Sequence, residues 1–99
     1  MKKESEIKDA LLGLDANYKR NIELTINAGN YRVAGTELKT MLKLYKLTKT
    51  ELLQVPSGFN FYHTLEKILE VLQQGKAPTE RVVREYNAFS VQINMNRSD

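Results

Sequence analysis

The chain has 99 residues, of which 41 % are hydrophobic and 27 % charged; this is the make-up of one folded domain spanning 1–99 and not of a disordered segment. It has no cysteine, which excludes a disulfide framework and thiolate chemistry and fits a reducing compartment. No stretch approaches the ~18 apolar residues of a membrane span, and Met1-Lys2-Lys3-Glu4 leads into a charged segment and not an apolar leader, so the expected location is cytoplasmic with no membrane partner.

The formal charge of +3 is unevenly distributed. Residues 1–30 carry five basic and five acidic groups, whereas residues 31–50 carry five basic groups against the single acid Glu37. A local excess of this kind attracts nucleic acid or an acidic protein surface. The abundance of Lys, Asn and Ile suits a bacterial or phage source.

Ser5 to Leu14 is expected to form a short amphipathic helix, with Ile7, Ala10, Leu11 and Leu14 on one face. Gly13 weakens its end, and Asp15 is placed to cap the next element. Asp15 to Gly35 supports two readings. As helix, Leu14, Tyr18, Ile22 and Ile26 recur every fourth residue and Gly29 ends the run. As strands, Ile22, Leu24 and Ile26 alternate with Glu23 and Thr25, Asn27 to Asn30 make a hairpin turn, and Tyr31 and Val33 return.

Thr36 to Gln74 holds the clearest patterns. Leu38, Met41, Leu42 and Tyr45 share one helical face, and Lys39, Lys43 and Lys46 form a stripe beside it. Leu44 and Leu47 fall outside the apolar arc. Thr48-Lys49-Thr50-Glu51 is a capping box that opens a short helix, which must stop before Pro56. A second long helix is expected from about Asn60, with Phe61, Leu65, Ile68 and Leu72 inward, Tyr62 and Leu69 beside them, and Gly75 as its stop. Pro78 suits the first position of the last helix. There Val82, Tyr86, Phe89 and Ile93 share a helical face, while Phe89, Val91, Ile93 and Met95 also alternate as a strand would. Residues 94–99 are polar and are expected to fray.

Two local resemblances rest on these residues. Gly29-Asn30-Tyr31 followed by Ala34 resembles the turn between paired helices in tetratricopeptide-type hairpins, which implies a helical hairpin; with no second copy, it implies no repeat array. Leu47 to Leu53 resembles the opening helix of repressor-type helix-turn-helix domains, and Thr64 to Leu69 resembles their later packing helix. Between them Pro56 cuts the first helix short, and Phe59, Phe61 and Tyr62 stand where such domains carry polar base-reading residues.

Catalytic groupings are thin. His63 is the only histidine; with Glu66 three residues on, it makes two ligands where zinc needs three or four. Glu66 and Glu70 share a polar face and not an apolar pocket that would split their pKa values. Ser57 lies six residues before His63 with no orienting acid in the local sequence. The five glycines form no phosphate cradle. Leu12, Leu24, Leu44, Leu47 and Val91 are apolar residues that fit no single buried face.

The expected fold is therefore mainly α, a single-domain bundle of four to five short helices. The alternative is α+β, with a small antiparallel sheet from residues 21–34 and 88–95. The expected function is that of a small non-enzymatic regulatory or inhibitory protein that binds a partner protein or a second copy of itself. The alternative is nucleic-acid binding through the lysine-rich helix face. Either surface would use Lys39, Lys43, Lys46, Lys49 and Arg32. No catalytic residue, metal, cofactor or small-molecule substrate is expected.

Overall fold

The structure, a computed structural model, describes residues 4–46 and 48–97, and among them helix is the only regular secondary structure. The elements in order are α1 (Glu4–Asn17), a π turn (Tyr18–Ile22), α2 (Glu23–Asn27), α3 (Tyr31–Tyr45), α4 (Lys49–Leu52), α5 (Gly58–Gln73) and α6 (Glu80–Arg97). The first three are one uninterrupted rod, Glu4 to Asn27. At 1.5 Å per residue it is about 36 Å long, matching the 38 Å long axis of the molecule.

This rod corrects the expected break near Gly13. The chain stays helical through Gly13, and the missing side chain lets the Tyr45 ring of α3 lie across it: a Cβ there would stand 3.0 Å from the Tyr45 hydroxyl. Asp15 does not cap a new helix; it is buried.

The π turn answers a geometric problem in the sequence. A spacing of four advances about 40° beyond a full turn at 3.6 residues per turn. Repeated through Leu14, Tyr18, Ile22 and Ile26, it would carry the apolar line off the core. One wide turn absorbs the excess, and Leu14, Tyr18 and Ile22 are all buried with Ile26 packed against them.

The same burial rules out the strand alternative. In a strand, Ile22 and Leu24 would share a face, yet Ile22 is 0 % and Leu24 68 % exposed. In α6 the line Tyr86, Ser90 and Ile93 is buried, while Val91 and Met95 point outward. Residues 21–34 and 88–95 therefore form no sheet; the helical period wins because it alone puts every buried residue on one side.

Four long helices close into a ring, each antiparallel to its neighbours. The rod turns through Ala28 to Asn30, with Gly29 left-handed at φ 82°, into α3. Helix α3 packs on α5, α5 on α6, and α6 back on α1. Short connections at Ala28–Asn30 and Gln74–Thr79 enforce the antiparallel pairing. The core holds Ile7, Leu11, Leu14, Leu38, Phe61, Leu65, Ile68 and Leu72, all fully buried, as the apolar periodicity requires.

The link from α3 to α5 carries the expected capping box. Thr48 Oγ1 accepts from the Glu51 amide at 3.2 Å, and Glu51 Oε2 accepts from the Thr48 amide at 3.4 Å. Helix α4 then tucks Leu52, followed by Val55, into the core. Helix α5 opens at Gly58, two residues before the expected start. Pro78 precedes α6 without opening it; Thr79 Oγ1 accepts from the Val82 amide instead. Helix α6 continues to Arg97, so residues 94–97 of the expected tail are helical, and Ser98 and Asp99 lie outside the described residues.

Candidate functional site

Helix α3 has three sides. Successive residues rotate by about 100°, which puts Ala34, Leu38, Met41, Leu42 and Tyr45 on the core side. Of these, Ala34 and Leu38 are fully buried and the other three pack against the core. Arg32, Lys39 and Lys43 fall within about 40° of one another on a second side, all exposed. Val33, Thr40 and Leu44 fall within about 40° on a third, with Val33 55 % and Leu44 70 % exposed.

The predicted basic residues are thus all at the surface but do not form one row. Arg32, Lys39 and Lys43 line α3. Lys46 is the left-handed cap of that helix, at φ 49°, which turns the chain away before the stripe can continue. Lys49 opens α4 beyond the bend. Among the described residues Arg32, Lys39, Lys43 and Lys49 form no ion pair. The ion pairs lie elsewhere, along the rod, within α6 and between α5 and α6, as in Lys67–Glu85 at 3.8 Å.

Beside the basic side runs an open apolar groove between the rod and α3. Leu24 and Thr25 form one wall, with Val33, Thr36, Thr40 and Met41 opposite. Two of its three threonine hydroxyls are turned back to their own helix. Thr36 donates to the Arg32 carbonyl at 3.1 Å and Thr40 to the Thr36 carbonyl at 2.9 Å. Thr25 Oγ1 lies 3.0 Å from the Asn21 carbonyl and 3.2 Å from Glu37 Oε1. The threonines therefore offer mostly methyl surface, and the only acid of residues 31–50 is occupied by a hydroxyl. Of the apolar residues that fitted no buried face, Leu24, Leu44 and Val91 are exposed, Leu12 packs against the core, and Leu47 lies outside the described residues.

Comparison with protein families, curated proteins and solved structures finds no match.

The structure also assembles a polar cluster that the sequence did not reveal. Asp15 is buried between α1 and α6. The Tyr86 hydroxyl donates to its Oδ1, and the Ser90 hydroxyl donates to Oδ2 at 2.9 Å. The Lys19 ammonium lies 3.5 Å from Oδ2 and 3.4 Å from Ser90 Oγ. The Tyr86 ring packs on Tyr18 at 4.6 Å and Phe61 at 5.2 Å between centroids.

Burial, reinforced by the hydrogen bond to Asp15, pushes the Tyr86 phenol well above its ordinary range. Burial, with Glu23 and Asp15 nearby, raises Tyr18 to about 12. Both phenols therefore act as neutral groups, and Tyr86 as a fixed donor. The signal for this cluster was one acid and one serine set among the apolar lines of two helices. Their pairing across 71 and 75 residues had no local trace.

The other residues weighed for chemistry are dispersed. His63 is exposed and stacks on Phe59 at 6.1 Å between centroids. Ser57 donates to Gln92 Oε1 of α6 and not to His63. Among the described residues no three potential metal ligands come together, and no helix is long and apolar enough to cross a membrane.

Proposed function

We propose that this chain is a small non-enzymatic regulatory or inhibitory protein that works in the cytoplasm by binding a partner protein through the outward half of α3. The observation that carries this reading is the pairing of stripes on one helix. Val33 and Leu44 stand outward with more than half their surface exposed, directly beside Arg32, Lys39 and Lys43, cations that form no ion pair among the described residues. An exposed apolar row rimmed by charge is the make-up of a protein-binding surface, where the apolar centre supplies affinity and the rim supplies orientation. Lys46 and Lys49 extend the rim past the bend. The cluster of Asp15, Tyr86 and Ser90 offers a substrate little access, since the three are 7 %, 1 % and 2 % exposed and their polar atoms are bonded to one another.

The test is site-specific photo-crosslinking in the cells that encode the chain, with the crosslinker at position 44 and, as a control, at exposed Glu70 on α5. A discrete adduct from position 44, lost in a Lys39→Glu/Lys43→Glu variant that keeps its thermal midpoint, is the expected result. Equal labelling from both positions would remove the reading.

Nucleic-acid binding is the second reading, drawing on the alignment of Arg32, Lys39 and Lys43. Phosphate neutralisation by three cations predicts a steep loss of affinity with salt. Against it, α4 has only four residues, and the first turn of α5 buries Gly58 and Phe61, so neither helix presents a base-reading face.

A further inference from the structure

Resting on that protein-binding reading, we infer that the groove between the rod and α3 seats an amphipathic helix of a partner protein, one with an apolar stripe flanked by acidic residues. Three observations select this occupant. The first is the backbone. Both walls are helices, whose amides and carbonyls are used internally, and no strand edge exists among the described residues. An extended peptide would lose its water hydrogen bonds on entering an apolar groove and find no backbone partners there. A helix satisfies its own backbone and has no such cost.

The second is the floor. Leu24, Val33 and Met41 supply apolar surface, and the Thr36 and Thr40 hydroxyls between them donate to their own helix. The outward row of α3 from Val33, which lines the groove, to Leu44, which continues the same side outside its lining, spans twelve residues and about 16 Å. That is three turns of an incoming helix, enough for apolar anchors at i, i+4 and i+7.

The third is charge. The adjoining side of α3 carries Lys39 and Lys43, which form no ion pair among the described residues, while the Arg32 guanidinium lies against Gly75, just past the end of α5; the only acid lining the groove, Glu37, lies 3.2 Å from Thr25 Oγ1. A flank of Glu or Asp on the occupant finds the open cations Lys39 and Lys43. A second copy of this chain meeting α3 to α3 would set these cations against their own copies. Nucleic acid would engage the rim and leave Leu24, Val33 and Leu44 in water.

The experiment uses the full chain and three labelled probes read by fluorescence anisotropy at low and moderate salt. They are a designed helix of about eighteen residues with a leucine stripe and glutamate flanks, its twin with lysine flanks, and a short mixed-sequence DNA duplex. The expected result is binding of the acidic helix at least ~tenfold tighter than its basic twin, a difference of about 1.4 kcal/mol. Leu24→Glu and Leu44→Glu should each weaken it by about tenfold or more, and Lys39→Glu/Lys43→Glu should reverse the preference between the twins. Amide shift changes should fall on the rod near Leu24 and on α3. The wild-type comparison of the twins needs no variant to fold.

Equal binding of the twins, no binding of either, shifts mapping to another face, or a duplex that displaces the acidic helix and ignores the leucine substitutions would each overturn the inference. So would sedimentation showing a dimer that the leucine substitutions dissolve. If position 44 still crosslinks a protein in cells while the acidic helix does not bind, the protein-binding reading stands and the helical occupant falls. If the crosslink is absent while the helix binds, the groove stands and the cellular reading falls.

Discussion

Tyr86→Phe isolates the hydroxyl at the centre of the α1–α6 contact. The substitution keeps the ring and its packing on Tyr18 and Phe61, so no cavity term enters. It removes one donor from Asp15, which is 7 % exposed. A hydrogen bond to a charged group contributes about 1.5–3 kcal/mol. Ser90 and Lys19 remain as partners, and Lys19, with a side chain 46 % exposed, adds the ~0.2–1 kcal/mol of a screened pair. The carboxylate is thus weakened and not orphaned, which places the loss at about 2 kcal/mol, or roughly 8–16 °C in midpoint for a domain of this size. Urea unfolding followed by far-UV circular dichroism measures it, with an unchanged slope as the control for a shared unfolded state. Asp15→Leu and the double variant complete the cycle. Once the acceptor is gone, Tyr86→Phe should cost less, giving a coupling of about 1–2 kcal/mol. A Tyr86→Phe loss under about 0.5 kcal/mol, within the range of ordinary surface changes, or strict additivity in the cycle, would show that the cluster adds nothing to the fold.

Other substitutions probe other joints. Gly58→Ala should destabilise by about 2 kcal/mol through overpacking, since its Cβ would stand 2.2 Å from Val55 Cγ2 and 3.0 Å from the Leu52 carbonyl oxygen; a neutral result by urea midpoint would mean that α4 yields freely. Thr48→Ala removes the capping box and should cost about 1 kcal/mol, with the largest gain in amide exchange confined to α4. Stability should also fall in alkali. Tyr18 ionises at 10.0 unfolded and at about 12 folded, so above pH 10 the unfolded state binds fewer protons. Its contribution is complete below pH 10 and drains away between 10 and about 12, roughly 3 kcal/mol in all. Tyr86 works in the same direction, and a urea midpoint flat across that window would contradict the burial of both phenols.

The helical fold was legible because two periods competed and only one matched the core. Leu14, Tyr18, Ile22 and Ile26 recur every fourth residue, and that regularity outweighs the β-branched content of 21–34. What local sequence did not carry was the continuity of the rod. Gly13 and Asp15 read as punctuation because glycine and aspartate end helices in isolation. Here each is recruited by a residue far along the chain: Gly13 by Tyr45, and Asp15 by Tyr86 and Ser90. Exposure of the lysines was readable from the wheel. Their division into a row on α3 and two outliers was not, because it depends on the left-handed turn at Lys46, a residue with no intrinsic preference for that conformation.

The two outward sides of α3 share a property that bears on function: the fold makes no use of either. Concentrating Arg32, Lys39 and Lys43 on one side of one helix sets like charges near each other, and like charges at adjacent turns are mildly destabilising. Leaving Leu24, Val33 and Leu44 at 55–70 % exposure forgoes their burial energy and adds apolar surface that favours association. Polar, charge-alternating residues at these positions would serve the bundle better, as on α6, where Arg84 Nη2 meets Glu80 Oε1 at 2.7 Å. A feature that costs the fold something and returns nothing to it is accounted for if a second molecule supplies the missing apolar contact and the missing acids. The two deficits lie side by side, on α3 and, at Leu24, across the groove on α2, so one occupant can satisfy both.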